Sequence, residues 1–234
     1  FVTPIPSDIA QPLILGLRNE AIADATLAHD LFPEIQPINY RRAVELALER
    51  LSASEVETSW NDSLGSSQGD ITPVVFTSHE GMLLEHRQAV VNASPQAIYE
   101  TFSGLGGKRG WLAYNWLWLI RGLMDRMIGG VGFRRGRRHP DELRAGDALD
   151  FWRVEAIEEA RMLRLRAEMI LPGRGWLQFK VEPLQDSTPE APKSRLSQTA
   201  FFAPKGLLGL LYWYSIYPIH GLVFSSLISQ LGEL

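Results

Sequence analysis

The sequence predicts an α+β fold, an antiparallel sheet covered by a long C-terminal helix, with a remnant of an α/β domain in front of it. Three observations predict this. Residues 206–231, GLLGLLYWYSIYPIHGLVFSSLISQL, carry no formal charge, and a helix apolar on nearly all sides must be buried in protein or lipid. Leu163, Leu165, Ala167 and Met169 alternate with Arg164, Arg166 and Glu168, and Leu177, Phe179 and Val181 alternate with Trp176, Gln178 and Lys180. That is the period-two signature of an antiparallel sheet wet on one face and covered on the other. Finally, SWNDSLGSSQGDITP (59–73) is rich in Ser, Gly, Asp and Asn with little apolar periodicity, which marks a linker. It separates residues 1–58 from a domain at 74–234.

Within the first segment, PLILGL (12–17) reads as a buried strand and LFPEIQPINY (31–40) as a Pro-punctuated connection. YRRAVELALERL (40–51) places Val44, Ala47, Leu48 and Leu51 on one helical face. One strand and one helix make no core alone, so they read as the last pieces of an α/β domain. After the linker, residues 74–93 predict one or two strands broken at Glu80-Gly81. A helix opens at SPQAIYETFSGLGG (94–107), with Ser94 as N-cap and Pro95 in the first helical position. A second helix is expected at 111–130. Strands are expected at 132–138, 148–157, 162–170, 175–184 and 195–203, then the terminal helix.

The composition excludes several functions. The net charge of −4 gives no general argument for nucleic acid, and the absence of cysteine removes disulfides, thiolate metal sites and thiol catalysis. FVTPIPSDIAQPL lacks the charged start and apolar core of a signal peptide; with Phe rather than Met in first place, a fragment of something longer is expected, and a cytoplasmic location. Residues 206–231 are long enough for a bilayer span. Pro218, His220, four serines and four Tyr or Trp rings through the middle argue instead for a buried helix.

The order of strand, two helices, meandering strands and long C-terminal helix is that of the helix-grip fold. VVNASPQAIYETFSGLGG resembles the start of START-like domains, the polyketide-cyclase and lipid-transfer (SRPBCC) superfamily. WLWLIRGLMDRMIGGVGFRRGRRHPDELRAGDALDFWRVE (116–155), LRLRAEMILPGRGWLQF (163–179) and LSQTAFFAPKGLLGLLYWYSIYPIHGLVF (196–224) resemble a bacterial family of unknown function. That family is found C-terminal to atypical short-chain dehydrogenase-like, NAD(P)-binding domains. PLILGLRNE with LFPEIQPINYRRAVELALERL is similar to the tail of such a Rossmann-type domain. The resemblance implies a dehydrogenase- or epimerase-like parent that binds NAD(P). The Gly-rich nucleotide turn is missing here, so this chain is expected to hold no cofactor.

GLGGKRG (104–110) fits neither phosphate motif. A dinucleotide turn needs glycine at the sixth position, which is Arg109, and must follow a strand; a close-packing turn is expected. FRRGRRHP (133–140) holds four arginines, and alternation sends some of them inward. An inward arginine needs a partner, and Asp150, then Glu168, are the expected ones. The strand then either pairs structurally or forms the polar floor of a pocket. His220 can serve acid–base chemistry beside Tyr214 and Tyr217, and no second histidine stands at metal-ligand spacing from it. His79 and His86 are isolated. The expected ligand-binding set is Trp118, Arg135, Arg137, Asp150, Trp152, Glu168, Tyr214 and His220, with His220 and Asp150 as catalytic candidates and no metal. The leading function is binding a small, mostly apolar ligand as an accessory to the dehydrogenase-like domain. The alternatives are a cyclase- or hydrolase-like enzyme, or a structural or homodimerising module. Neither a nucleic acid partner nor a membrane span is expected.

Overall fold

The computed structural model describes residues 7–20, 26–53, 81–107, 109–132, 137–139 and 142–232. The expected linker 59–73, the strand opening at 74–80, and Arg134 and Arg135 lie outside the described residues. Three N-terminal helices come first: α1 (Ser7–Gly16), α2 (Thr26–Leu31) and α3 (Tyr40–Ala53). The strand expected at 12–17 is therefore a helix. A strand needs a neighbour for its backbone groups, whereas a helix satisfies its own. The apolar side chains Leu13, Ile14 and Leu15 are exposed on it.

The main domain runs β1 (Leu83–Val91), α4 (Pro95–Ser103), α5 (Asn115–Met127), β2 (Ala148–Leu149), β3 (Trp152–Glu158), β4 (Met162–Ala167), β5 (Gly173–Pro183), β6 (Ser194–Pro204) and α6 (Gly206–Leu231). The strands form one antiparallel sheet in the order β1-β6-β5-β4-β3-β2. The first strand therefore pairs with the last, and α6 crosses back over β6, β1 and α4. This is the α+β helix-grip architecture that the residue order predicts. Of the expected strand 132–138, only a bridge between Arg137 and Leu149 is present among the described residues.

Register fixes what faces the helix. Glu85, Ala200, Leu177, Leu165 and Val154 form one row across the sheet on the α6 side. Arg87, Gln198, Phe179 and Leu163 form the next row on that side, two residues along. The row beside the first, Leu84, Phe201, Trp176, Arg166 and Arg153, faces away. This outer face is not simply wet as expected: Phe201, Trp176, Arg166 and Arg153 are all buried. A bidentate ion pair keeps charge there, with Arg153 Nε 2.7 Å from Glu168 Oε1 and Nη2 3.3 Å from Oε2.

Local chemistry sets the helix ends. Ser94 accepts from the Ala97 N–H at 3.3 Å and caps α4, with Pro95 in the first turn. The second helix opens at Asn115, not 111, because Leu112 and Tyr114 take left-handed backbone conformations. Those turns drive Trp111 into the core while its N–H donates to Asn115 Oδ1 at 2.8 Å. At the other end, fully buried Asp125 accepts from Gly132 N–H (2.9 Å) and Ile170 N–H (2.7 Å). One carboxylate thus ties α5 to the turn after it and to the β4–β5 connection.

The terminal helix spans the predicted residues, but the sheet covers only one stripe of it. Trp213, Phe224, Leu227 and Leu231 are buried, while Leu207, Leu208, Leu211 and Tyr214 are exposed. A flat sheet can cover one side of a cylinder, so the expectation of a fully covered helix is corrected. The start of α6 is pinned where Lys205 N–H donates to Pro172 O at 2.9 Å. There Gly209 lies so close that a Cβ would stand 2.5 Å from the same oxygen.

Asp125→Ala leaves two buried backbone N–H groups without acceptors and is expected to cost about 2–4 kcal/mol. The exposed Glu159→Ala is expected to change stability by less than about 0.5 kcal/mol. Urea unfolding of both variants checks this, and equal midpoints would contradict the clamp.

Candidate functional site

Two polar groupings stand on the α6 side of the sheet. The first is built on β1, where alternation turns Glu85 and Arg87 toward the helix. Glu85 is buried, with Oε1 2.6 Å from Arg87 Nη2 and Oε2 3.6 Å from His220 Nδ1. Arg87 also donates to Ser225 Oγ (3.2 Å) and Gly221 O (3.4 Å), tying β1 to the second half of α6. Burial pushes the Glu85 carboxyl upward. His220 and Arg87 outweigh that and hold it below the ordinary value, so it is an anion. The His220 ring packs on Phe224 at 4.7 Å and edge-on to Trp213 at 5.7 Å. Opposite Arg87 in register is Gln198, only 2% exposed, whose amide oxygen and nitrogen both lack a partner.

The second grouping is aromatic. Trp111, Trp118, Phe151 and Trp152 cluster with ring centroids 5.5–6.1 Å apart, Trp111 stacked on Phe151 and the other contacts tilted. The Trp111 indole N–H donates to Asp150 Oδ2 at 2.8 Å, whereas the buried N–H groups of Trp118 and Trp152 have no acceptor. Asp150 sits in the β2–β3 turn at φ 54, 1% exposed, and also accepts from Gly107 N–H at 3.3 Å. Burial pushes its carboxyl up to about 6, with Trp111, Gly107 and the Arg137 charge pulling back in part.

The GLGGKRG loop makes this geometry possible. Gly106 and Gly110 bridge each other, and both hold positive φ. A Cβ on Gly106 would lie 2.6 Å from Leu149 Cδ1 and 3.0 Å from Asp150 Oδ2. The Gly106 N–H is taken by Gly110 O and the Gly107 N–H by Asp150. Among its described residues the loop is a close-packing turn in which the Gly106 and Gly107 N–H donors are used internally.

The structure places the expected residues in different parts of the fold. Trp118, Trp152, Asp150 and His220 lie on the helix-covered side. Arg137 caps α4, donating from Nη1 to Ser103 O and Leu105 O. Among the described residues of the arginine-rich stretch, Arg138 forms a buried ion pair with Asp147, at 3.2 and 3.3 Å, and the charge of Arg137 acts on the Asp150 carboxyl. Glu168 is committed to Arg153 and Arg166 on the outer face. Tyr214 is 66% exposed and turned from the sheet. Arg135 lies outside the described residues. Sequence reasoning missed Glu85, Arg87, Gln198 and Trp111. The signal for the first two was LEHRQAVV, where Glu85 and Arg87 share a face with Ala89 and Val91. Among the described residues no three His, Asp or Glu side chains converge as a metal site. A surface groove of about 850 Å³ between α4 and the loop carrying Glu142 and Arg144 involves none of these residues.

Asp150 carries a pH signature. Its folded pKa of about 6 lies above the ordinary 3.8. Its stabilising contribution is therefore complete below about pH 4 and is lost as pH rises through about 6. Asp150→Asn keeps an acceptor for Trp111 and tolerates the positive φ. Relative to that variant, the parent is expected to lose up to about 3 kcal/mol between pH 4 and pH 7.5. Denaturant titrations of both proteins at each pH measure the difference; a flat difference would rule out an ionisable, buried Asp150.

A family model for proteins of unknown function, DUF2867, matches residues 77–227. No curated protein matches the chain. Among solved structures, an uncharacterized protein from Bacillus thuringiensis is 11% identical, covering 64% of this chain and 98% of its own, with a TM-score of 0.37. Protein CV1439 from Chromobacterium violaceum is 14% identical over 66% and 99% of the two chains, TM-score 0.35. Truncated norcoclaurine synthase from Thalictrum flavum is 12% identical over 65% and 95%, TM-score 0.33. The family model covers the whole span from β1 into the last turns of α6, and the chain belongs to the DUF2867 family of unknown function.

Proposed function

We propose that the protein binds a small, mostly apolar ligand between α6 and the inner face of the sheet. In this reading the ligand's oxygen-bearing end is met by Gln198, Arg87 and His220. The observation that carries the proposal is the Gln198 amide, buried with neither atom partnered. An unmet buried polar group costs about 1–3 kcal/mol, and a core glutamine persists at that cost where a ligand completes its bonds. The orphaned indole N–H groups of Trp118 and Trp152 support the same reading, since each can donate to a carbonyl or hydroxyl.

The binding role is read as accessory to an NAD(P)-binding dehydrogenase-like domain to which residues 1–58 belong. The exposed apolar side chains of α1–α3, Leu13, Ile14, Leu31 and Leu48 among them, support this, because helices with such faces belong to a larger core. An enzymatic reading has one observation in its favour, the Glu85–His220 contact. A carboxylate behind an imidazole orients it, as general-base chemistry requires.

Gln198→Leu separates these roles. Replacing an unpartnered amide by an apolar group of similar size is expected to stabilise the ligand-free protein by about 1–2 kcal/mol while removing ligand retention. Native mass spectrometry of the purified chain is expected to show a small-molecule adduct that disappears on denaturation and is absent from the variant. A parent spectrum without any adduct, like that of the variant, would contradict the binding reading.

A further inference from the structure

We infer that the bare stripe of α6 is the contact between two copies of this chain, packed antiparallel about a two-fold axis that passes between Tyr214 and Ser215. Leu207, Leu211, Tyr214, Pro218 and Leu222 recur every three or four residues, so they lie above one another on one side of a single helix. That side faces away from the sheet. Leu207, Leu211, Tyr214 and Leu222 are 71%, 58%, 66% and 50% exposed, and Ser215 and Pro218 among them are exposed too. Leu208 and Ile219, at 73% and 51%, widen the stripe at its flanks. With about 200 Å² for a fully exposed side chain of this size, the stripe presents roughly 700 Å² of apolar surface, close to the ~800 Å² that each partner gives to a standard interface.

The stripe is suited to meet itself. In a two-fold contact each residue of one copy faces the residue equally far beyond the axis on the other. Leu207 then meets Leu222, Leu211 meets Pro218, and the Tyr214 ring lies over the small Ser215. The Ser215 hydroxyl can be buried there without loss, since it donates to Tyr212 O of its own helix at 2.8 Å. No formal charge occurs from Gly206 to Leu231, so the axis sets no like charges of the helix against each other. The arginines at its flanks are answered within the molecule, Arg121 by Asp125 at 3.7 Å and Arg87 by Glu85 at 2.6 Å. A bilayer fits the stripe less well. A helix lying in a membrane surface sets Lys and Arg around its apolar face, and α6 contains neither. Spanning is barred, because Trp213, Phe224, Leu227 and Leu231 hold the other side of the helix to the domain.

Sedimentation equilibrium of the full chain over a range of concentrations tests this. A reversible monomer–dimer equilibrium is expected, with a dissociation constant on the order of micromolar. The double variant Leu211→Glu/Tyr214→Glu brings four carboxylates together at the axis and is expected to weaken the dimer by roughly a hundredfold or more. Leu13→Glu, on the exposed face of α1, is expected to leave it unchanged. The chain has no cysteine, so Ser215→Cys supplies a single thiol beside the axis and is expected to give a disulfide-linked dimer on mild oxidation. Leu207→Cys is expected to stay unlinked, because its two copies stand about 22 Å apart along the helices. All of these side chains are exposed, so an unchanged unfolding midpoint at high dilution shows that the fold is intact. A monomer at every concentration, a dimer untouched by the double variant, or equal cross-linking at positions 207 and 215 overturns the inference. Binding to phosphatidylcholine vesicles in the absence of any dimer also overturns it and assigns the stripe to a bilayer.

Discussion

An uncharged helix of 26 residues has no polar face to offer water, and the fold is arranged around giving that helix one apolar support. The sheet supplies it through Leu177, Phe179, Leu163 and Leu165, and α4 adds Phe102, stacked on Phe179 at 5.5 Å. Support from one side leaves the opposite stripe bare. The helix is thus fastened at two places by polar contacts, at its start through Lys205 and Pro172 and past its middle through Arg87. Packing alone would let such a smooth surface slide; hydrogen bonds to named atoms set its register.

The carboxylates follow a consistent pattern. Asp125, Asp147, Asp150 and Glu168 are each buried, and each is bonded to two or more donors from different segments. They join connections that have little apolar surface of their own. Against this background of satisfied acids, the unmet Gln198 amide and the two unmet indoles stand out as the places where the interior has been left chemically open.

The strong periodicities were legible in the sequence. The boundaries of α6, the cap at Ser94 and Pro95, and the inward set Leu163, Leu165, Leu177, Phe179 and Val181 all follow from local pattern, because each reflects an interaction within a few residues or a repeated contact with one surface. The misreadings have a common physical origin. PLILGL is apolar enough for either state, and only the presence of a neighbouring strand would decide it. The delayed start of α5 depends on left-handed residues at 112 and 114, which no helical pattern announces. Partner choice among charges was the least legible of all. Arg138 finds Asp147 and Arg153 finds Glu168 because of where turns place them, and Glu85 meets His220 from the far side of the chain. Alternation along a strand says that an arginine needs an inward partner, but which acid supplies it depends on contacts far apart in sequence.

The pairing of β1 with β6 has a consequence for how the protein is made. His86 meets Thr199 across 113 residues of chain, so the first strand of the sheet has no permanent neighbour until nearly all of the domain has left the ribosome. Topologies dominated by such distant contacts fold slowly, since loop closure must come before the contacts that stabilise it. During synthesis the open edge of β1, bearing Glu85 and Arg87 among its apolar residues, waits while β3, β4 and β5 zip together as a local meander. The charges on that waiting strand disfavour edge-to-edge association with other nascent chains. The same two residues that fasten the finished helix thereby also protect the unfinished sheet.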